Sequence, residues 1–172
     1  MTKETAAARF RQAAALLPPA LRRAAEELDA VHQSQAEELR LRVGWPPTIL
    51  YPEGELPLGQ ASEPVTPELL RLVLEVATRA SVHAALERIR NGFFTVQGGH
   101  RIGLCGAAVV RQGQVCSLSH LSSLSIRIAK EVVGASREVM DKLWSEDGLE
   151  STLILSQPGC GKTTLLRDMV RQ

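Results

Sequence analysis

The sequence predicts a fold in two parts, an α+β domain in residues 1–145 and the beginning of an α/β domain in residues 146–172. In the first part, helical segments with one apolar stripe occur among short segments in which apolar and polar residues alternate. This pattern indicates a mixed or antiparallel sheet covered by helices. In the second part, a short apolar strand, a Gly-rich loop and an amphipathic helix follow one another directly, the order that opens many α/β domains. The boundary is set by the polar link over residues 145–148.

The composition excludes several classes of protein. Apolar residues make up 44% and charged residues 23% of the 172 residues, while aromatic residues contribute only 3%, which is typical of a globular domain with an aliphatic core. The net charge of +1 gives no general attraction to nucleic acid or anionic lipid. No apolar run approaches the roughly 18 residues of a membrane span. Cys105, Cys116 and Cys160 lack C-x-x-C spacing, so we expect buried free thiols rather than a metal site.

The first 51 residues predict two helices and two strands. Residues 2–17 are rich in alanine and favour a helix. Residues 3–10 also resemble the start of pancreatic ribonuclease, which we interpret as coincidence or as the remnant of a fusion tag. Pro19 suits the first turn of a second helix. Residues 38–43 alternate between apolar and charged side chains and predict a half-buried strand, with residues 48–51 as its partner.

Residues 52–92 predict a loop followed by a helical hairpin. Proline, glycine and glutamate dominate residues 52–64, which indicates a loop. Thr66-Pro67-Glu68 combines an N-cap residue, a first-turn proline and an acidic residue, and so predicts the start of a helix. A second helix is predicted from Ser81 to Arg90, with Asn91-Gly92 ending it. The apolar faces of two helices joined by so short a link must be buried, and we expect them to pack on a sheet.

Four strands are predicted between residues 93 and 130, at 93–97, 101–110, 114–118 and 121–130. Strict alternation along the last of them places Ser123, Ser125 and Arg127 on one face, where hydroxyls and a guanidinium suit a phosphate or an acidic neighbour. His100 and Arg101 follow two glycines, and this pair suits either an anion site or a solvated hairpin tip.

The pattern with the most specific chemistry lies at the end of the sequence. After a helix predicted over residues 137–144 with Ser136 as its cap, residues 151–155 form a short β-branched strand. Residues 156–164 (SQPGCGKTT) then match most of the Walker A pattern, although Ser156 stands where the strict pattern has glycine. A helix over residues 165–171 follows. Strand, loop and helix in this order favour a phosphate-binding loop, and the alternative is an ordinary glycine turn with a solvated lysine.

The Walker A pattern assigns a role to each type of residue in the loop. Backbone N–H groups of the loop and of the helix N-terminus face the phosphates. Lys162 reaches the β- and γ-phosphates, and the Thr163 hydroxyl holds Mg²⁺. The ATP-binding residues predicted in this segment are Gly159, Cys160, Gly161, Lys162, Thr163 and Thr164.

A nucleotide hydrolase of this type needs further parallel strands, one of which ends in the acidic Walker B residue. No such strand follows Leu155 in this sequence. We therefore expect a truncated chain that lacks the Walker B residue, is inactive alone and binds nucleotide weakly at most.

Several stretches of the sequence together resemble the stage III sporulation protein AA family. They are LLPP at residues 16–19, ELRLRVG at 38–44, VT at 65–66, GGHRIGLCG at 98–106, SSLSIRIAKE at 122–131, and the Walker A segment with LLRD at 165–168. The stretches GGHR and SIRI are far more specific than the Walker A segment. The resemblance runs from about Leu16 to the end and leaves out the first fifteen residues. It implies a relative of the secretion and pilus motor ATPases, with an N-terminal α+β domain and a RecA-like ATPase domain.

The resemblance also implies cofactors, partners and a location. It implies ATP and Mg²⁺ as cofactors and a homo-oligomer, a hexameric ring, in the full-length protein. It implies a cytoplasmic protein on the mother-cell membrane that powers or gates a channel to the forespore, with the membrane channel proteins as partners. In the secretion ATPases a similar strand of the N-terminal domain lies near the nucleotide, which implies that Arg127 contacts phosphates. No membrane span is expected.

Two other functions stay open at this point. The chain suits a non-catalytic assembly or docking module whose Gly-rich loop is vestigial. Nucleic-acid binding through Arg40, Arg42, Arg101 and Arg127 is the third possibility. The near-zero net charge and the few aromatic residues count against it, so we expect no nucleic-acid partner.

Overall fold

The computed structural model describes residues 3–59, 63–79, 92–130, 134–145, 148–157 and 160–171. The chain divides into two compact units, Thr2–Ala129 and Lys130–Gln172. The α+β character predicted from the sequence is confirmed. The domain boundary after residue 145 and the RecA-like character of the second part stay predictions.

The described helices of the first unit begin where local signals place them. They are α1 (Lys3–Ala14), α2 (Pro19–Glu26), α3 (Ala30–Gln35) and α4 (Pro67–Thr78). Pro19 occupies the first turn of α2, and the Thr66 hydroxyl accepts a hydrogen bond from the Leu69 amide at 3.2 Å, so both predicted starts are confirmed. Helix α3 was not predicted, although Asp29 caps it by accepting from the His32 amide at 2.9 Å. The helix predicted over Ser81–Arg90 lies outside the described residues.

Helix α1 is an integral part of the core of the first unit. Phe10, Ala13 and Ala14 on this helix are fully buried, and Leu17 just after it is 1% exposed. The helix packs against α2 and α3. The interpretation of these residues as a fusion-tag remnant is therefore wrong, because a detachable segment would not bury a phenylalanine in the main hydrophobic cluster.

Six strands form one antiparallel sheet in the order β3-β2-β1-β6-β5-β4. They are β1 (Glu38–Arg42), β2 (Thr48–Tyr51), β3 (Gly54–Pro57), β4 (Phe93–Thr95), β5 (Arg101–Arg111) and β6 (Gln114–Arg127). Two differences from the predictions stand out. The stretch predicted as a loop contains the edge strand β3, and the two strands predicted between residues 114 and 130 are one continuous strand, β6.

The two faces of this sheet differ in chemistry. Apolar side chains from the four central strands are buried on one face, where α4 packs on β6: they are Leu39, Leu41, Ile49, Ile102, Leu104, Leu124 and Ile126. The residues between them in the sequence point to the opposite face and are mostly charged or hydroxyl-bearing. This second set forms the polar face of the sheet, which contains the residues of the candidate site.

The second unit has two helices and a short hairpin among its described residues. They are α5 (Arg137–Met140), β7 (Trp144–Ser145), β8 (Gly148–Leu149) and α6 (Lys162–Arg171). Helix α5 is shorter than the predicted 137–144, and Ser136 does not cap it through its side chain. Residues 151–155 form no strand. Leu153 and Leu155 are 80% and 81% exposed, because within the described residues no neighbouring strand supplies a hydrogen-bonding partner.

Candidate functional site

The Gly-rich segment leads directly into helix α6, which begins at Lys162. The Lys162 ammonium donates to the carbonyl oxygens of Ser156 at 2.9 Å and Gln157 at 3.0 Å, and to the Ser156 hydroxyl at 3.2 Å. Its charge therefore lies over the loop, at the end of the helix where the macrodipole favours anions. The helix begins three residues earlier than predicted.

The remaining residues of the loop leave space beside this lysine. Gly161 has a φ of +83° and no atom within 4 Å of the position that a Cβ would take, so a glycine suits the conformation and the space is open. Cys160 and Thr163 are exposed, and Thr164 is half-buried. Gly159, predicted to bind ATP, lies outside the described residues.

A buried carboxylate fixes helix α6 within the second unit. Asp168 is 2% exposed and accepts hydrogen bonds from the Gly134 amide at 3.0 Å, the Ser136 amide at 2.8 Å and the Ser136 hydroxyl at 2.8 Å. The turn before α5 is thereby tied to the helix that carries Lys162. The side chain of Ser136 serves this contact instead of the helix cap predicted for it.

A second group of candidate residues lies in the first unit, on the polar face of the sheet. In the pairing of β5 with β6, Arg101 lies opposite Arg127, Gly103 opposite Ser125 and Cys105 opposite Ser123. The predicted sharing of one face by Ser123, Ser125 and Arg127 is thus confirmed. They line a concavity of about 390 Å³. Arg101, Gly103 and Cys105 line it too and were not predicted as part of it.

Glu38 lines this concavity and also belongs to a charged cluster on β1 and β3, formed with Arg40, Arg42 and Glu55. Its carboxylate is 3.7 Å from Arg127 Nε and accepts a hydrogen bond from Arg40 Nε at 2.7 Å. Glu55 on the edge strand accepts from Arg40 at 2.6 Å, from Arg42 at 3.1 Å and from the Thr48 hydroxyl. Arg40 and Arg42, which suited nucleic-acid binding in the sequence, are therefore engaged by carboxylates of the same sheet.

These contacts stabilise the charged form of Glu55. Hydrogen bonds from Arg42 and Thr48, which outweigh the cost of desolvation, lower the pKa of Glu55 from 4.5 to about 2. The same partnership raises the pKa of Arg42. The cluster couples the edge strand β3 to β1 and β2 by charge as well as by backbone hydrogen bonds.

We expect the first unit to lose stability in acid through Glu55. Because the folded state lowers this pKa, the stabilisation is fully present above the unfolded value of 4.5 and is lost as the pH falls through about 2. The partly exposed arginines reduce the effect to roughly 1–2 kcal/mol. Urea unfolding of Glu55→Gln, followed through NMR signals of the first unit, should therefore show a smaller loss of stability between about pH 5 and about pH 2 than that of the wild type. Glu53→Gln, which changes an exposed carboxylate of the turn before β3, should behave like the wild type, and an equal acid loss in all three proteins would contradict the assignment.

His100 does not share an anion site with Arg101. Its side chain is 1% exposed, and its Nδ1 accepts a hydrogen bond from the Ala129 amide at 3.1 Å, so Nε2 carries the proton. Nε2 has no hydrogen-bond partner among the described residues. Burial and the nearby charge of Arg9 lower the pKa of His100, so the ring is neutral at pH 7. The alternative prediction, that His100 is a solvated residue at a hairpin tip, is also wrong. The alternation of side chains places His100 on the core side of the sheet and Arg101 on the polar face.

The cysteines, the acidic and histidine side chains and the helices of the described part of the chain add no further site. Cys105 and Cys160 are exposed and Cys116 is half-buried, so the predicted burial of the thiols is wrong. No group of three or more His, Cys, Asp or Glu side chains suited to a metal ion occurs in the described ranges. None of the described helices has the length and apolarity needed to traverse a bilayer.

The structure describes the predicted ATP-binding residues in separate units. Cys160, Gly161, Lys162, Thr163 and Thr164 belong to the second unit, and Arg127 belongs to the first. A contact of Arg127 with the same phosphates as Lys162 stays a prediction. What each unit shows by itself is a lysine held over a loop in one and an arginine-lined concavity in the other.

Comparison with known proteins gives two findings. The model of the family described as Sporulation stage III, protein AA matches residues 7–172. Stage III sporulation protein AA of Bacillus subtilis (strain 168) is 32% identical over 158 residues, which cover 92% of this chain and 50% of that protein. The chain thus spans about half the length of this curated relative. The family match begins within α1, earlier than the start at about Leu16 expected from the sequence.

Proposed function

Because the chain belongs to the Sporulation stage III, protein AA family, we propose that it is the N-terminal portion of a sporulation ATPase and that it binds ATP with Mg²⁺ at residues 159–164. The observation that carries the proposal is the position of Lys162, whose ammonium lies over the loop at the first residue of α6. Its present partners are two carbonyls and a hydroxyl. A triphosphate offers the same ammonium full negative charges and is the better partner.

The residues of the loop suit a bound phosphate in three ways. The Leu165 amide makes the first-turn hydrogen bond of α6 to the Gly161 carbonyl at 2.9 Å, and in any α-helix the amides before that one have no intrahelical acceptor. Those amides, of Lys162, Thr163 and Thr164, are donors for a phosphate oxygen. Gly161 leaves open space, and Thr163, an exposed residue in the first turn of α6, supplies the hydroxyl that we propose holds Mg²⁺. When bound, ATP supplies a phosphoryl group whose transfer to water releases the energy for mechanical work.

For the full-length protein we propose the roles that the family resemblance implies. It hydrolyses ATP as a cytoplasmic homo-oligomer, a hexamer, at the mother-cell membrane, and it powers or gates a transport channel between mother cell and forespore. Its partners are the membrane proteins of that channel. Arg127 contacts the phosphates from the first unit. Support for these roles is the family membership together with the loop chemistry of Lys162 and Thr163.

A non-catalytic assembly module is the second candidate function. The exposed stretch 151–155 pairs with no strand in the part of the chain that the structure describes. This favours the assembly module, because a P-loop takes its fixed position from a strand that is paired within a parallel sheet. The two candidates differ in one measurable property. The ATPase proposal requires lysine-dependent nucleotide binding, and the assembly module requires none.

We expect Lys162→Ala to weaken ATP–Mg²⁺ binding at least tenfold, about 1.4 kcal/mol, because it removes the only side-chain cation that the Walker A pattern supplies. An NMR titration suits the weak binding expected of this chain: saturable shifts of the amides of residues 160–164 give the dissociation constant. Lys142→Ala, which removes an exposed lysine of the same unit, should bind like the wild type. Equal binding by the Lys162→Ala protein, or no saturable shift in any of the three, would contradict the proposal and leave the assembly module.

A further inference from the structure

The residue that departs from the strict Walker A pattern makes a contact that glycine could not make. Ser156 stands where the strict pattern has glycine, and its hydroxyl accepts a hydrogen bond from the Lys162 ammonium at 3.2 Å. We propose that Ser156 is a positioning residue for Lys162, whose hydroxyl holds the ammonium against the loop and gives way to a phosphate oxygen when ATP binds. This inference rests on the proposed function, because it concerns how tightly the same site binds its nucleotide.

The contacts of Lys162 use the whole donor capacity of its ammonium. A protonated lysine has three N–H donors and no acceptor. Three oxygens match them, the carbonyl oxygens of Ser156 at 2.9 Å and Gln157 at 3.0 Å and the Ser156 hydroxyl at 3.2 Å. A phosphate oxygen can therefore bind the ammonium only by replacing one of these three partners.

The hydroxyl is the partner that gives way most readily. Its distance of 3.2 Å lies at the long end of the usual range for N–H···O hydrogen bonds, whereas the two carbonyl distances lie at the centre of that range. The carbonyls also belong to the backbone, so any residue at positions 156 and 157 supplies them. The hydroxyl is thus both the weakest contact of Lys162 and the one that depends on the identity of residue 156.

A second hydrogen bond orients the Ser156 hydroxyl toward Lys162. Ser156 Oγ donates to the Gln157 carbonyl oxygen at 3.2 Å. A hydroxyl has one proton and two acceptor lone pairs, so the proton directed at Gln157 leaves the lone pairs for the ammonium. The Gln157 carbonyl also accepts from Lys162 itself, and the two side chains are therefore held at one backbone oxygen.

The backbone at residue 156 accepts side chains other than serine. Among the described residues other than glycine, a positive φ occurs at Arg79, Gln112 and His120, and Ser156 does not belong to this group. The side chain of Ser156 is exposed. Alanine and threonine can therefore take its place without the strain that a left-handed backbone would impose, and a change in binding can be assigned to the hydroxyl.

The hydroxyl contact opposes nucleotide binding, because ATP must break it to reach the ammonium. In Ser156→Ala the third N–H donor of Lys162 is left to water, which exchanges freely. We expect this variant to bind ATP–Mg²⁺ about two- to fivefold more tightly than the wild type, equivalent to about 0.4–1 kcal/mol. A hydrogen bond at a solvent-exposed position contributes an amount of this order.

The test is an NMR titration with ATP–Mg²⁺, followed through the amides of residues 160–164. Ser156→Ala should lower the dissociation constant. Ser156→Thr keeps a hydroxyl on the same carbon atom and should restore the wild-type dissociation constant. Ser151→Ala removes an exposed hydroxyl that lies before the loop, so the protein should bind like the wild type.

The direction of the change separates the hydroxyl contact from a general effect on the loop, since a substitution that only loosened the loop would weaken binding. The proposal is overturned if Ser156→Ala binds ATP–Mg²⁺ as the wild type does or more weakly, or if Ser156→Thr binds as tightly as Ser156→Ala. The Lys162→Ala protein distinguishes this failure from that of the proposed function. Lysine-dependent binding with either result overturns the role of Ser156 alone, whereas binding that does not depend on Lys162 overturns both proposals.

Discussion

Replacement of Phe10 by alanine should destabilise the first unit by about 3–5 kcal/mol. Phe10 is fully buried and belongs to the main hydrophobic cluster, together with Ala13, Ala14 and Leu17 of the same N-terminal region. Small neighbours cannot move far enough to fill the space that the ring leaves, so the cost combines lost burial with a residual cavity. A stability of roughly 5–15 kcal/mol is typical of a domain, so the loss is a large share of the total.

Hydrogen exchange gives the sharpest measurement of this loss, because the chain has two units and global unfolding curves need not be two-state. The slowest amides of the central strands β1 and β6 report on the first unit. Arg11→Ala changes the exposed neighbour on the same helix and should alter their protection by less than about 0.5 kcal/mol. If the amides of the Phe10→Ala protein exchanged at the same rates as those of the Arg11→Ala protein, α1 would not be needed for the stability of the first unit. That result would support the interpretation of residues 3–10 as a fusion-tag remnant.

The elements that were predicted correctly have strong local signals. Thr66 and Pro67 start α4 because a hydroxyl cap and a fixed φ act within one turn, whatever surrounds them. The alternation over residues 38–43 predicts β1 because one face is buried and the other carries arginines. The edge strand β3 has no such signal. Its proline and glycine residues indicate a loop, and it becomes a strand through pairing with β2 and the contacts of Glu55, which are tertiary.

The contribution of Arg101, Gly103 and Cys105 to the concavity was missed because it depends on the register of the long hairpin. Arg111 pairs with Gln114 beside the turn, and an uninterrupted ladder from there would place Arg101 opposite Leu124. Two irregularities, one after Cys105 and one after Val109, shift the pairing so that Arg101 lies opposite Arg127.

The hydrophobic pattern contains the signal that would have revealed this shift. In an uninterrupted ladder, Ile102 would share a face with Ser123. Apolar and polar side chains would then be mixed on both faces of the sheet, and neither face could pack against the core. A shift by an odd number of residues brings Ile102 together with Ile126, both of which are fully buried. The need for a common core face therefore requires a bulge in the hairpin, and Gly106 is a residue type that bulges favour.

In the segment 151–164, the structure suits one local sequence pattern and contradicts another. The pattern of residues 156–164 predicts a mechanism, and the structure has Lys162 and α6 in an arrangement that suits it. The preceding stretch 151–155 has the β-branched composition of a strand but pairs with no strand among the described residues. Propensity alone cannot form a strand, because its hydrogen bonds must come from neighbours that the local sequence does not supply.

Asp168→Ala should loosen helix α6 by about 2–4 kcal/mol. The substitution removes a charged acceptor and leaves the Gly134 and Ser136 amides and the Ser136 hydroxyl without the partner that they now share. The hydrogen bond from the Ser136 amide is buried, so its loss costs more than the loss of a hydrogen bond at the surface. Ser136→Ala removes the hydroxyl contact but keeps both amide hydrogen bonds to Asp168, and it should cost about 1 kcal/mol.

The Asp168 prediction connects stability to the proposed function, because Lys162 and Asp168 belong to the same helix. Exchange of the α6 amides in Asp168→Ala should accelerate by a factor of at least about 30, and ATP–Mg²⁺ binding should weaken because the ammonium is no longer held over the loop. Asp141→Ala removes an exposed carboxylate of the same unit and should change neither property. Unchanged exchange in the Asp168→Ala protein would mean that the turn at residues 134–136 does not fix α6. Faster exchange with undiminished nucleotide binding would mean that Lys162 can bind the phosphates even when α6 is not fixed. Asp168 would then stabilise the helix without contributing to ATP binding.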